Sequence, residues 1–349
     1  MAGFNAEYSI AEALGSGTTA VVKKAVRRAD GCQVAVKCVR SSDEEVQSFV
    51  RQEYELLRSF KHDSIVRAEA LHDCGNRLFM VMELCEDGDL ASYVRRLGHR
   101  SEAQSLVLFR QLLGAVSHLH QKRVVHRDLK PANLMLRQGG EVLKVTDFNS
   151  AKVVGSSSAS MLTERGTRAY LAPEVLLGRN WNERVDIWAS GMCLYFMVCG
   201  ARPFDGESPL VKEEFAAGTL PKLAWLDKGP SQEFRALARQ CLSVDMHGRP
   251  PAMKVLVHPL LAMKEPADVE RAGGRSTLSS TARTRGRCTA AVRDDLVERY
   301  GAVSSPPGSS RSRTRSMPRL FELVGVHEAE CSSPTRKVSA PLCSPAIRA

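Results

Sequence analysis

From Ile187 to Gly200 the chain reads Ile-Trp-Ala-Ser-Gly-Met-Cys-Leu-Tyr-Phe-Met-Val-Cys-Gly, so a helix here carries apolar side chains all round. Such a helix has no face to offer to water and must be enclosed by other elements. The run is too short for a bilayer core of roughly 30 Å, so it reads as the buried centre of a large globular unit, and no membrane span is expected. With 349 residues, 43% of them hydrophobic, the chain can build one large or two ordinary domains around it.

Strand-like and helix-like patterns alternate from about Tyr8 to Met263 with short connections and no internal repeat. Residues 8–39 read as short strands with glycine turns, whereas 43–60, 101–121 and 185–199 read as helices. In the second helix Leu106, Phe109, Leu112, Leu113, Val116 and Leu119 recur at three- and four-residue spacing, so one face packs on a core. The expected fold class is α+β. A small lobe (about 8–83) of antiparallel sheet plus one helix precedes a larger, mainly helical lobe (about 86–263).

Past Pro266 the composition shifts to Ser, Arg, Gly, Pro and Thr. Residues 271–349 hold 14 Arg and Lys against 6 Asp and Glu, which places +8 of the chain's +10 charge there. Stretches such as 304–316 bury too little apolar surface to offset chain entropy, so 264–349 is expected to be a disordered basic tail. The ten cysteines form no CxxC pair and sit mostly in apolar runs, and residues near the start lack the basic-then-apolar order of a signal peptide. A cytoplasmic or nuclear protein is expected.

Leu14-Gly-Ser-Gly-Thr-Thr-Ala-Val-Val22 lies between two strand-like runs, where glycines let backbone amides approach phosphate oxygens; a hairpin turn accounts for the same residues. In Val34-Ala-Val-Lys37, alternation puts Ala35 and Lys37 on one face, and a strand-end lysine is commonly a solvated edge charge. The helix at 43–60 changes the balance. Glu53 falls in the middle of its apolar stripe of Val46, Val50, Leu57 and Phe60, and a carboxylate there needs a cation, for which Lys37 is the natural partner. Such a bridge could hold the ammonium against phosphate or serve structure alone.

His126-Arg-Asp-Leu-Lys-Pro-Ala-Asn133, followed after an apolar strand by Thr146-Asp-Phe-Asn149, gives the ordered set its specificity. From about Tyr8 to Leu261 the sequence resembles the eukaryotic protein kinase superfamily, which implies the bilobal kinase fold, a domain at 8–263, and Mg²⁺ and ATP as cofactors. The resemblance makes Asp128 the base that orients a substrate hydroxyl, Lys130 the steadying charge on the transferring phosphate, and Asn133 and Asp147 the Mg²⁺ ligands. It makes Lys37 the contact to the α/β-phosphates with Glu53 behind it, and Gly15, Ser16 and Gly17 the phosphate lid with Leu14 at its start. Adenine would lie between Val22 and Ala35 above and Met135 below, with Met82 guarding the back pocket and backbone of Glu83 and Cys85 at its edge. Asp89 joins this set and matches an acidic position that holds substrate arginine, although Ala132 and Phe196 replace two others.

Lys130 with Gly166-Thr167 resembles the serine/threonine branch, which implies protein serine and threonine as acceptors. Arg127 implies control by a phosphate in the activation segment, with Thr163 at the usual spacing, Ser160 and serines 156–158 close by, and Lys152 as a second cation. An upstream kinase acting on that segment, and on the Ser-Pro pairs at 305, 333 and 344, is implied as a partner; nucleic acid is not expected. Glu174 is expected to pair with Arg249. Two positions depart from the family: Ala20 replaces a lid glycine, and Asn149 replaces the glycine after Asp147-Phe148. Asparagine tolerates positive φ, so the turn is expected to survive with altered loop dynamics. These departures define the competing reading, a nucleotide-binding pseudokinase or scaffold. The tail reads as a solvated linker, against a docking arm, an autoinhibitory segment or a weak nucleic-acid contact through arginine, with 318–324 as its binding motif.

Overall fold

The computed structural model of the chain describes residues 2–16, 20–153, 168–206, 208–227 and 229–262. Gly17, the 156–167 positions named above and the whole of 264–349 lie outside the described residues.

A short helix α1 (Ala2–Glu7) leads into an antiparallel sheet of β1 (Tyr8–Ser16), β2 (Ala20–Arg27), β3 (Gln33–Arg40), β4 (Ala68–Asp73) and β5 (Arg77–Glu83), ordered β1-β2-β3-β5-β4. Register shifts between Ile10 and Ala13, and again between Ala13 and Gly15, bend β1 as it approaches the glycines. The outer face of the sheet, with Val34, Val36, Phe79 and Val81, is sealed by Phe4, whose ring stacks 4.3 Å from that of Phe79 and 5.2 Å from that of Tyr8. Side-chain packing thus begins at Phe4, ahead of the Tyr8 boundary read from the sequence.

Helix α2 (Glu44–Ser59) connects β3 to β4 and starts at Asp43, whose carboxylate accepts the Glu45 N–H at 2.8 Å. Val50, Glu53 and Leu57 are buried as the periodicity predicts, joined by Tyr54; Val46 is half-buried, and Phe60 is buried as the C-cap. Beyond it, Val145 N–H donates to the Ser64 carbonyl at 2.8 Å and Val66 N–H to the Val145 carbonyl at 2.9 Å, so the α2–β4 segment is hydrogen-bonded to the second lobe.

That lobe contains β6 (Gly88–Asp89), α3 (Leu90–Leu97), α4 (Glu102–Gln121), β7 (Val124–Val125), β8 (Leu134–Arg137), β9 (Val142–Val145) and β10 (Lys152–Val153). It continues with α5 (Pro173–Leu176), α6 (Val185–Cys199), α7 (Pro209–Ala216), α8 (Gln232–Cys241) and α9 (Ala252–Leu256). Strands β6, β8 and β9 make one small sheet and β7 with β10 another. Helix α4 opens with a capping box between Ser101 and Gln104 and lays Leu108, Phe109, Leu112, Leu113, Val116 and Leu119 on the core.

Helix α6 is the enclosed centre its composition requires: every residue but Phe196 is buried. Gly191 permits α8 to come close, since a Cβ there would lie 2.8 Å from Cys241 Cβ, and Gly200 ends the helix at φ 69°. Among the described residues no helix is long and apolar enough to cross a membrane. The seven described cysteines form no disulfide with one another; Cys85, Cys193, Cys199 and Cys241 are buried and Cys32 is exposed.

Candidate active site

Strand register decides which side chains share the inner face of the sheet. Val22 pairs with Lys37 and Lys37 with Met80, while Ala35 pairs with Met82, so Val22, Ala35, Lys37 and Met82 all point the same way. Lys37 Nζ donates to both oxygens of Glu53, at 2.8 and 2.7 Å, and lies 3.7 Å from Asp147 Oδ1. Burial pushes the Glu53 carboxyl above its ordinary range, against the pull of Lys37 and of the Phe148 N–H. The two hydrogen bonds make this an ion pair, and it holds the ammonium between the helix and Asp147.

A second cluster lies on the loop between β7 and β8. Lys130 Nζ donates to Asp128 Oδ2 at 2.7 Å, and Asn133 Nδ2 reaches both the Asp128 carbonyl at 2.8 Å and Oδ2 at 3.0 Å. The loop hangs from the first turn of α6. Asp186 accepts from the backbone N–H groups of His126 and Arg127, each at 2.9 Å, and its Oδ2 lies 2.9 Å from His120 Nε2. Burial alone would raise the Asp186 carboxyl, but His120, His126 and these amides hold it below the ordinary value. Arg127 accordingly adopts φ 67°.

Thr146 joins the two clusters: its N–H donates to the Asn133 carbonyl at 3.0 Å, and its carbonyl lies 3.1 Å from His126 Nε2. Phe148 then packs on His126, with ring centroids 4.7 Å apart, and on Phe60 at 5.5 Å, which ties this turn to the end of α2. The left-handed residue of the turn is Asp147, at φ 64°; Asn149 is not among the residues with positive φ. The asparagine's tolerance of positive φ, on which the turn is expected to survive, is therefore not called on at this position. Its side chain instead donates from Nδ2 to Asp147 Oδ1 at 2.7 Å.

The segment linking the lobes is clamped by the β8–β9 hairpin. Glu83 accepts from Lys144 Nζ at 2.8 Å, Arg137 Nη1 at 3.1 Å and the Arg67 N–H at 2.7 Å. Glu86 accepts from Arg137 and the Gln138 N–H, and Asp87 from the Gly140 N–H. The Glu83 side chain is thus spent on the hairpin and on Arg67. Cys85 is buried, which pushes its thiol up to about 12, with Glu83 adding to the effect. Met135 on β8 pairs with Asp89. Asp89 is the N-cap of α3, accepting the Ser92 N–H at 2.9 Å. On β1, Leu14 is exposed, Gly15 pairs with Val22 and Ser16 with Val21.

Arg127 extends under the segment after Asn149. Its Nε donates to the Ser150 carbonyl, its guanidinium sits 5.7 Å from the Trp181 ring centroid, and its Nη1 is buried without a hydrogen-bond partner. Burial lowers its hold on its proton, with Asp186 opposing. Lys152 pairs with Val125 across β10 and β7. Farther down, Arg249 makes a bidentate bridge to Glu174 with both bonds at 2.6 Å, as the sequence predicts. Sequence reasoning missed three contributions: Asp186 as the anchor of the loop, Phe60 and His126 as the packing partners of Phe148, and the Lys144–Arg137 clamp.

The sequence profile described as Protein kinase domain matches residues 8–261. Serine/threonine-protein kinase cds1 of Schizosaccharomyces pombe is 34% identical over 269 residues, covering 73% of this chain and 58% of that protein. Myosin light chain kinase A of Dictyostelium discoideum is 32% identical over 261 residues, covering 73% and 88%. Testis-specific serine/threonine-protein kinase 3 of Mus musculus is 33% identical over 270 residues, covering 73% and 96%. The chain spans about half the length of several curated relatives it matches, such as sperm motility kinase 2B of Mus musculus at 52%. On the profile match along the two lobes, the chain belongs to the protein kinase domain family.

Proposed function

We propose that the chain is a serine/threonine protein kinase, with residues 8–263 as its catalytic domain and 264–349 as a basic extension that other kinases modify. The observation that carries the reading is the convergence of Lys37, Glu53 and Asp147 within 3.7 Å contacts, beside the Asp128, Lys130 and Asn133 cluster. The identities to serine/threonine kinases support the acceptor class.

A hard divalent cation suits these residues. Asp147 presents a carboxylate 36% exposed, and Asn133 gives its amide nitrogen to Asp128, which leaves the amide oxygen to offer. Asp147 and Asn133 would hold Mg²⁺, which neutralises charge on the nucleotide phosphates when bound. Lys37, kept in place by Glu53, contacts the α/β-phosphates, and Leu14 with Gly15 and Ser16 covers them. Val22, Ala35, Met82 and Met135 enclose adenine, whose edge meets backbone of Glu83 and Cys85. Asp128 accepts the proton of the substrate hydroxyl as its oxygen bonds to the γ-phosphorus, the bond to the bridging oxygen breaks, and ADP leaves. Lys130, bonded to Asp128, steadies the transferred phosphoryl group.

Arg127 supports regulation: a half-buried guanidinium with an unpartnered Nη1 suits a phosphate on Thr163 or a neighbouring serine. Asp89 serves as a helix cap, and with Ala132 and Phe196 at two other acidic positions of the family it gives little ground for arginine-directed substrate selection. Cysteines without disulfides among the described residues, four of them buried, suit the cytosol or nucleus.

The test is transfer from labelled Mg-ATP to a generic basic protein by the full chain and by Asp128→Asn and Asp147→Asn. Transfer lost in both variants supports the kinase. Equal residual signal in all three proteins turns the reading to a nucleotide-binding scaffold.

A further inference from the structure

Asn149 departs from the family's glycine, and its side chain has one assignable task. It is exposed, so no core packing depends on it. Its φ is not positive, so the turn does not select it for backbone conformation. What it does is donate from Nδ2 to Asp147 Oδ1 at 2.7 Å. Chemistry fixes the direction of this bond: an ionised carboxylate only accepts, and an amide oxygen at that distance would repel it.

We propose that Asn149 is a positioning residue for the cation-binding carboxylate. It holds Asp147 in its ligating orientation before the metal arrives and so lowers the Mg²⁺ concentration the protein needs. The inference rests on the reading of Asp147 as a metal ligand. A carboxylate offers about four lone-pair sites, so one amide bond leaves enough for a cation. Asp147 needs the support. Its backbone is in the left-handed region, which an L-residue enters at a cost, and its cationic neighbour, Lys37 at 3.7 Å, is committed to Glu53 by two shorter bonds. Hydrogen bonds to metal-ligating carboxylates set their orientation, and removing one typically weakens metal binding by about 10- to 100-fold. Glycine at this position has no side chain to supply that bond.

The experiment measures equilibrium binding of a non-hydrolysable ATP analogue to the full chain while Mg²⁺ is titrated, with a parallel measurement in EDTA. The variants are Asn149→Gly, Asn149→Ala, Asn149→Ser and Asp147→Asn. Because the side chain is exposed, Gly and Ala should shift the melting temperature by less than about 2 °C. They should raise the half-saturating Mg²⁺ by about tenfold or more while the EDTA affinity stays at the wild-type value. Ser, which restores a shorter donor, should fall between. An unchanged requirement in Gly and Ala overturns the proposal, and so does a lowered one, which would mean that the amide competes with the metal. If Asp147→Asn keeps the wild-type Mg²⁺ dependence, the metal-ligand reading itself fails and takes the inference with it. If Asp147→Asn loses that dependence while the Asn149 variants behave as wild type, only the positioning role fails.

Discussion

The ammonium of Lys144 on β9 lies 2.8 Å from the carboxylate of Glu83 at the end of β5, with side chains only 10% and 9% exposed. Two chain segments 61 residues apart are fastened at the point where the lobes meet. Replacing Lys144 by Met removes one partner of a largely buried charge. Glu83 keeps Arg137 and the Arg67 N–H, so the loss should be about 1–3 kcal/mol, below that of a carboxylate left wholly alone. Urea denaturation of Lys144→Met and Glu83→Gln, singly and together, checks it; effects that simply add would mean the two side chains do not act as a pair.

The bridge between Arg249 and Glu174 has no such reserve. Arg249 is fully buried, gives both terminal nitrogens to Glu174, donates from Nε to the Ser243 carbonyl at 2.6 Å and packs 5.0 Å from the Trp188 ring centroid. Arg249→Leu leaves a buried carboxylate unpaired and should destabilise the fold by about 3–5 kcal/mol. Arg249→Lys should recover little of this, because one ammonium cannot reproduce the planar fork. Thermal melts decide the matter, and a lysine variant as stable as wild type would contradict it.

The elements most legible in the sequence were those with a strong local signal. The apolar run of α6, the stripe of α2 and the ordered motifs each carry enough residues to specify an element and its burial. Glu53 was readable because a carboxylate inside an apolar stripe demands a cation, and its spacing puts it opposite Lys37. Lys144 was not: a lysine on a short strand looks solvated until the register of β8 and β9 and the course of β5 place it under Glu83. Phe4 was missed for a related reason. A six-residue helix is too short to show a period, and its packing depends on which face of a distant sheet is left uncovered. At Asn149, the family's glycine suggested a backbone explanation, whereas the turn puts its positive φ on Asp147.

Acid should weaken the fold through two adjacent histidines. The rings of His62 and His118 lie 5.2 Å apart, Phe60 packs on His118 at 6.0 Å, and Phe60 in turn touches Phe148. His62 Nδ1 accepts the Ser64 N–H at 3.0 Å, and His118 Nε2 is buried without a partner. Burial is the main cause that lowers both values. For His62, Asp63 opposes and Lys144 adds; for His118, His62 and Lys122 add. As pH falls through about 6.5 the unfolded chain takes up protons that the native rings still refuse, so stability drops until pH passes the lowered native values. The melting temperature should therefore fall between pH 7.5 and 5.5, and His118→Phe, which keeps a ring against Phe60, should flatten that slope. Parallel curves for variant and wild type would remove these histidines as the source.

The carboxylate of Asp128 accepts from two neighbours, Lys130 and Asn133, at 2.7 and 3.0 Å. Asp128→Asn keeps the size of the side chain but removes the charge and basicity that the proposed base needs to take up a hydroxyl proton. Turnover should fall by about 10²- to 10⁴-fold, the ordinary contribution of a positioned general base, while KM for ATP stays close to wild type. The split between the two constants carries the argument. The proposed nucleotide contacts are on Lys37, the sheet and the interlobe segment, so a variant that raised KM for ATP and left kcat intact would place Asp128 in binding instead of in the transfer step.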